Sequence, residues 1–168
     1  PFFLFLNYME PHAPYRPPFP YSHKFQESKL AWKKLLDASS HEVHRYASQE
    51  EDVPEKLMQI QRALYTGEIS YLDSKLEELH NQIQEDYPNT VFIFTSDHGE
   101  YFGEKGLVNH FGNVHEPVTH VPLIEKLPGG VEKNVEGSVE LRQLHDHVLA
   151  LAEGETKPMG AVENPVTE

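Results

Sequence analysis

The chain has 168 residues, no cysteine, and 27 acidic against 14 basic side chains, a formal charge of −13. This length suits one domain, or part of one, with a core of its own. The missing cysteines exclude disulfides, thiolate metal sites and a cysteine nucleophile, and the acidic balance argues against nucleic acid or anionic membranes as partners.

Mean hydropathy is −0.57, and no apolar run approaches the roughly 20 residues of a membrane span. The chain therefore reads as soluble. No basic region precedes the apolar start, so no signal peptide is expected and a cytoplasmic location is favoured.

Pro1-Phe-Phe-Leu-Phe-Leu-Asn-Tyr8 has the continuous apolar pattern of a strand buried on both faces. A core strand at the first residue suggests a chain cut from something larger. Met9–Pro20 holds five prolines in twelve residues, which forbids regular structure and predicts a stiff, extended loop. Residues 27–60 are polar and helix-leaning, with Pro54 as a helix start. From about Val53 to Asp86 the apolar positions Leu57, Ile60, Leu64, Ile69, Leu72, Leu76, Leu79 and Ile83 step mostly by threes and fours. That predicts an amphipathic helix lying on a sheet, with a break near Gly67.

Pro88-Asn89 predicts a turn, and Thr90–Ser96 a strand. Residues 97–120 read as a Gly- and His-rich loop region. Val121-Pro-Leu-Ile124 reads as a short strand, with Pro122 at an edge or at its start. Pro128-Gly129-Gly130 is a turn, and residues 138–152 are helical with Ser138 as N-cap. From Glu153 the composition is that of a loose tail, which sets the expected organisation as 1–152 and 153–168. Strands alternating with helices point to α/β with a mostly parallel sheet.

Asp97-His98 follows the buried strand directly, at the carboxyl end where open α/β sheets bind ligands. Both side chains are ligands for a divalent metal, and neighbours leaving a strand can converge on one ion. His12 lies in the stiff loop after the first strand, and His110 lies thirteen residues after Asp97. Metal ligands at one strand end with imidazoles from two loops would suit an anionic tetrahedral group.

Each residue also has a plainer reading. Asp97-His98 could be a turn and a helix cap, and His12 and His110 could be ordinary loop residues. His41, His44, His115, His120, His145 and His147 have only the plain reading. His145 and His147 are two apart, so they do not share a helix face.

Phe-Leu-Asn-Tyr-Met-Glu-Pro-His-Ala-Pro-Tyr15, Tyr65-Thr-Gly-Glu-Ile-Ser-Tyr-Leu-Asp73, Thr-Ser-Asp-His-Gly-Glu-Tyr-Phe-Gly-Glu-Lys-Gly106, His110-Phe-Gly and Val121-Pro-Leu-Ile together resemble the sulfatases of the alkaline phosphatase superfamily. The order and spacing match as well as the words, over roughly residues 1–152. The resemblance implies a sulfatase-like α/β sandwich, a mostly parallel central sheet flanked by helices, present here as a fragment of the catalytic domain. It implies that Asp97 and His98 are metal ligands, with calcium first and manganese or zinc as alternatives.

His12 matches the family histidine that contacts the sulfate or the leaving oxygen. His110 falls where relatives hold the substrate oxyanion with Lys or His, and Lys105 competes for that role. Glu100 belongs to the motif as a residue that fixes the loop, while Tyr71 and Asp73 pack and anchor the helix. The implied substrate is a small-molecule or glycan sulfate ester. Residues 20–55, with Trp32 and Tyr46, are candidates for lining its site. Oligomeric state stays open.

The family's formylglycine motif, Cys/Ser-x-Pro/Ala-x-Arg, and its first Asp-Asp metal pair do not occur in these residues. The chain by itself is therefore expected to be inactive. Two other readings stand beside the sulfuric ester hydrolase. One is a phosphodiesterase, phosphonate monoester hydrolase or phosphoethanolamine transferase of the same superfamily. The other is a truncated, non-catalytic remnant.

Overall fold

A computed structural model describes residues 2–26, 54–130, 134–155 and 159–162. Trp32, His41, His44 and Tyr46, with residues 27–53 of the expected specificity region 20–55, lie outside the described residues. The helices are α1 (Tyr21–Lys24), α2 (Glu55–Asp86), α3 (Glu116–Thr119) and α4 (Leu144–Ala152). The strands are β1 (Phe92–Thr95), β2 (Tyr101–Phe102), β3 (Val108–Asn109) and β4 (Leu123–Lys126), and short 3₁₀ turns occupy Glu104–Gly106 and Leu141–Gln143. The chain divides into two compact units, Pro1–Asn81 with Glu100–Asn113 and Gln82–Gly99 with Val114–Glu168. Among the described residues, no helix is long and apolar enough to cross a membrane.

In the first unit, α2 begins just past Pro54, whose carbonyl accepts from the amides of Leu57 and Met58. The helix buries Leu57, Met58, Gln61, Leu64, Gly67 and Glu68, so one stripe at three- and four-residue steps faces inward. Leu57, Met58 and Val108 form the core cluster, with Phe102 packed against it.

The expected break at Gly67 does not occur: the helix is continuous for 32 residues. A Cβ on Gly67 would lie 2.8 Å from the Tyr21 carbonyl oxygen and 2.9 Å from Pro17 Cγ. The glycine thus serves close approach of the proline-rich loop to the helix, not a bend.

The loop region expected over 97–120 contains regular structure. β2 and β3 pair antiparallel, Tyr101 with Asn109 and Phe102 with Val108. The connecting turn needs left-handed backbone, supplied by Gly103 at φ 98° and also adopted by Lys105 at φ 58°. Alternation signals are too short to reveal two-residue strands, which is why composition alone reads this stretch as loop.

Of the strand expected over Pro1–Tyr8 and buried on both faces, residues 2–8 form no strand and are exposed. Apolar content says what a segment favours burying, but burial also needs strands beside it and helices over it.

In the second unit, β1 and β4 pair antiparallel in the register Phe92–Lys126, Ile93–Glu125, Phe94–Ile124 and Thr95–Leu123. Both sheets among the described residues are two-stranded and antiparallel, so the expected mostly parallel arrangement is not what these strands form. β4 begins just after Pro122, where the missing amide costs the ladder no donor, and the Pro122 carbonyl accepts from Thr95 Oγ1 at 2.9 Å.

Ser138 does not cap the last helix. A capping box between Glu140 and Gln143 does so at the preceding 3₁₀ turn. Ser138 instead bridges Val162, whose amide donates to the Ser138 carbonyl at 2.8 Å, and Met159 is buried. His147 pairs with Glu125 of β4, both side chains nearly buried, while His145 pairs with Asp146.

Candidate functional site

The first unit gathers His12, Tyr15, Tyr65, Glu68, Glu100 and His110. The proline-rich loop carries His12 on its exposed side and Tyr15 on its buried side, since fixed proline φ values leave the loop few conformations. The imidazoles of His12 and His110 stand 5.7 Å apart between centroids, tilted by 54°. Two positions that sequence spacing proposed as partners, nearly one hundred residues apart, are therefore neighbours.

Two buried carboxylates support them. Glu100, entering β2, takes His110 Nδ1 on Oε1 at 3.0 Å, and its side chain is 3% exposed. A carboxylate only accepts, so His110 carries a proton on Nδ1. Glu68, on the buried stripe of α2, accepts the Arg16 amide on Oε1 at 2.5 Å. A helix carboxylate thus holds the loop that presents His12.

The second oxygens, Glu68 Oε2 and Glu100 Oε2, are buried with no hydrogen-bond partner among the described residues. Orphaned carboxylate oxygens are costly in a folded chain and concentrate at functional sites.

Burial pushes the Glu68 carboxyl up to about 7, with the Arg16 amide pulling against it and Glu10 adding to the rise. The Tyr15 phenol is raised first by burial and then by the Glu100 carboxylate, with Tyr65 and Glu68 adding to it. Tyr65 is raised for the first two of these reasons. Both phenols therefore stay neutral donors at any physiological pH. Tyr15 and Tyr65 meet edge to face at 5.4 Å, closing the floor beneath the loop.

Lys105 sits exposed in the left-handed part of the 3₁₀ turn between β2 and β3. That turn is anchored by Glu104, which takes the Phe102 amide at 2.5 Å and Arg62 at 2.7 Å. Burial alone would raise Glu104; the amides of Phe102 and Glu104 and the Arg62 guanidinium outweigh it and lower its pKa.

Asp97 and His98 leave β1 in the second unit. Asp97 Oδ1 accepts the His98 amide at 3.1 Å, and His98 Nδ1 donates to the Gly99 carbonyl at 3.0 Å. That bond puts the proton of the neutral ring on Nδ1 and the lone pair on Nε2, the tautomer a metal ligand needs. Nε2 lies 3.9 Å from Asp97 Oδ2. Two donors bound at about 2.0–2.6 Å to one ion lie roughly 3–4 Å apart, so the pair fits part of a divalent-ion shell.

Gly99 fixes where this pair sits. Its amide donates to the Val118 carbonyl at 2.7 Å, and a Cβ there would lie 2.1 Å from the Pro117 oxygen.

The sequence singled out His12, His110 and the Asp97-His98 pair as candidates, and Glu100 as a loop-fixing residue. It missed Tyr15, Tyr65 and Glu68. The available signal was the stripe Leu57, Gln61, Leu64, Glu68: a carboxylate at an inward position of an amphipathic helix calls for a buried partner.

The sulfatase family model matches residues 1–154, and the chain belongs to the sulfatase family. It is similar to the uncharacterized sulfatase YidJ of Escherichia coli K12, with 30% identity over 160 residues, 91% of this chain and 32% of that protein. It is also similar to an arylsulfatase of Clostridium perfringens, with 26% identity over 155 residues, 87% and 32% of the two chains. Human iduronate 2-sulfatase is 28% identical over 149 residues, 77% of this chain and 27% of its own. The chain thus spans about a third of the length of these relatives. No solved structure matches it.

Proposed function

We propose that this chain is the part of a metal-dependent sulfuric ester hydrolase that holds the substrate's charged group. The observation that carries the reading is the His12–His110 pair, backed by two buried carboxylates, in a chain of the sulfatase family. With its Nδ1–H engaged by Glu100, His110 donates from Nε2 to a sulfuryl oxygen or the leaving alkoxide when both ring nitrogens carry protons, and His12 donates from its exposed ring, stabilising charge as it develops. His110 rather than the exposed Lys105 is assigned the oxyanion, because it has a buried partner that fixes its ring.

Asp97 and His98 hold a divalent ion together with ligands beyond this pair. Calcium is the first assignment, and the nitrogen donor of His98 favours manganese or zinc as the alternative. When bound, that ion supplies Lewis-acid charge to the sulfate oxygens. The substrate is a small-molecule or glycan sulfate ester.

The 168 residues contain no Cys/Ser-x-Pro/Ala-x-Arg segment, so the nucleophile comes from outside them and the chain alone does not turn over substrate. An aryl sulfate assay with added calcium, run on these residues and on the complete encoded protein, tests this. The complete protein is expected to be active, and His110→Ala to lower kcat/KM on the order of 100-fold. Faster turnover of an aryl phosphate would favour the phosphoester reading instead. Turnover by the 168 residues alone would remove the claim that the nucleophile lies elsewhere.

A further inference from the structure

We infer that Glu100 is a positioning residue for His110: it sets the ring's tautomer and orientation, so that Nε2 is the atom presented for chemistry. The inference deepens the proposed function and rests on it only for the role of Nε2. The geometry stands independently.

Glu100 Oε1 meets His110 Nδ1 at 3.0 Å, with side chains 3% and 23% exposed. A carboxylate held in such burial makes a shorter and stronger acceptor for an N–H than water does. It cannot donate, so the alternative neutral tautomer, with the proton on Nε2, would set two lone pairs against each other.

His110 follows Asn109, the last residue of β3, whose backbone is left-handed at φ 58°. Asn109 pairs with Tyr101, the residue directly after Glu100. The hairpin therefore brings the carboxylate and the imidazole together as flanking residues of one strand pair. Tyr101 is 1% exposed, which fixes the β2 end of that register, and Phe111 packs beside the His110 ring at 4.6 Å.

Glu100 also faces the Tyr15 phenol, three residues beyond His12 in the opposing loop. Burial and this carboxylate both raise the phenol, so Tyr15 stays protonated and Glu100 lies between a neutral hydroxyl and the His110 ring.

The test reads the His110 ring nitrogens and the Nδ1 proton by ¹H–¹⁵N NMR of the neutral ring. The wild-type chain is expected to show one Nδ1–H tautomer with a strongly downfield ring proton. In Glu100→Gln, which keeps the volume, that proton is expected to move upfield or the Nε2–H tautomer to appear. Glu100→Ala is expected to lose the Nδ1–H preference altogether. An Nε2–H tautomer in the wild type, or an unchanged ring proton in folded Glu100→Gln, overturns the inference.

In the complete protein, Glu100→Gln is expected to lower kcat about 10–100-fold with a smaller change in KM. Altered tautomer without any sulfate ester hydrolysis in the wild type would sink the proposed function and leave the Glu100–His110 coupling intact. Hydrolysis with an unaltered tautomer would do the reverse.

Discussion

The two units handle their buried charged groups in different ways. The first buries Glu68, Glu100, Gln61 and Asn109 among Tyr15, Leu64 and Tyr101, and leaves one oxygen of each carboxylate without a hydrogen bond. The second keeps Asp97 89% exposed on its side chain, and its nearly buried charged pair, His147 with Glu125, is mutually satisfied. A satisfied buried pair ties a helix to a strand and asks for nothing more. An unsatisfied buried carboxylate is an energetic liability, and a fold keeps one where it orients a loop or a ring.

The contrast can be broken from either side. The largest stability effect is expected from Leu64→Ala, which empties the centre of the first unit's helix face. A loss of about 2–5 kcal/mol by denaturant melting is expected, and a loss below about 1 kcal/mol would mean that this face is not the core.

Next is the proposed metal pair, Asp97 and His98. Asp97→Ala is expected to weaken calcium binding about 100-fold by calorimetry, while leaving unfolding almost unchanged because the side chain is exposed. A large destabilisation would make Asp97 structural.

Glu68→Gln sharpens the contrast through pH. The Glu68 pKa is raised from about 4.5 to about 7 in the fold, so the fold favours the protonated acid. Its contribution to stability is full below about 4.5 and is lost as pH rises through 7, where the buried carboxyl must ionise. The wild type is expected to lose on the order of 2 kcal/mol across that window after discounting for solvent screening. Glu68→Gln is expected to flatten the curve, and a parallel curve would remove Glu68 as its source.

The smallest effect is expected at the surface ion pair Arg62–Glu104, with side chains 58% and 38% exposed. Arg62→Ala should cost about 0.2–1 kcal/mol. A larger loss would point to the Arg62 stack on Phe102 at 5.5 Å.

Much of the site was legible as words. Asp97-His98 stood out because two ligand-type residues follow an apolar run, and His12 and His110 because rigid or Gly-rich loops carry them. Their partners were less legible. Glu68 carried no reading of its own in the sequence, and it is the helix that turns it inward on the stripe with Leu57 and Leu64. Glu100 looked like a loop residue until the β2–β3 register set it against His110. The strand expected at residues 2–8 shows the opposite limit, since five apolar residues in a row specify a desire for burial and no partner.

By itself, the sequence determined the family, the stiff loop, the long helix and which side chains have ligand chemistry, because those follow from local residue types, spacing and periodicity. Only the tertiary structure decided that α2 passes Gly67 unbroken, that the strands pair antiparallel, and that His12 meets His110 beside Glu68 and Glu100. Those outcomes depend on contacts between residues far apart in the chain, where steric fit and burial, rather than propensity, select the arrangement.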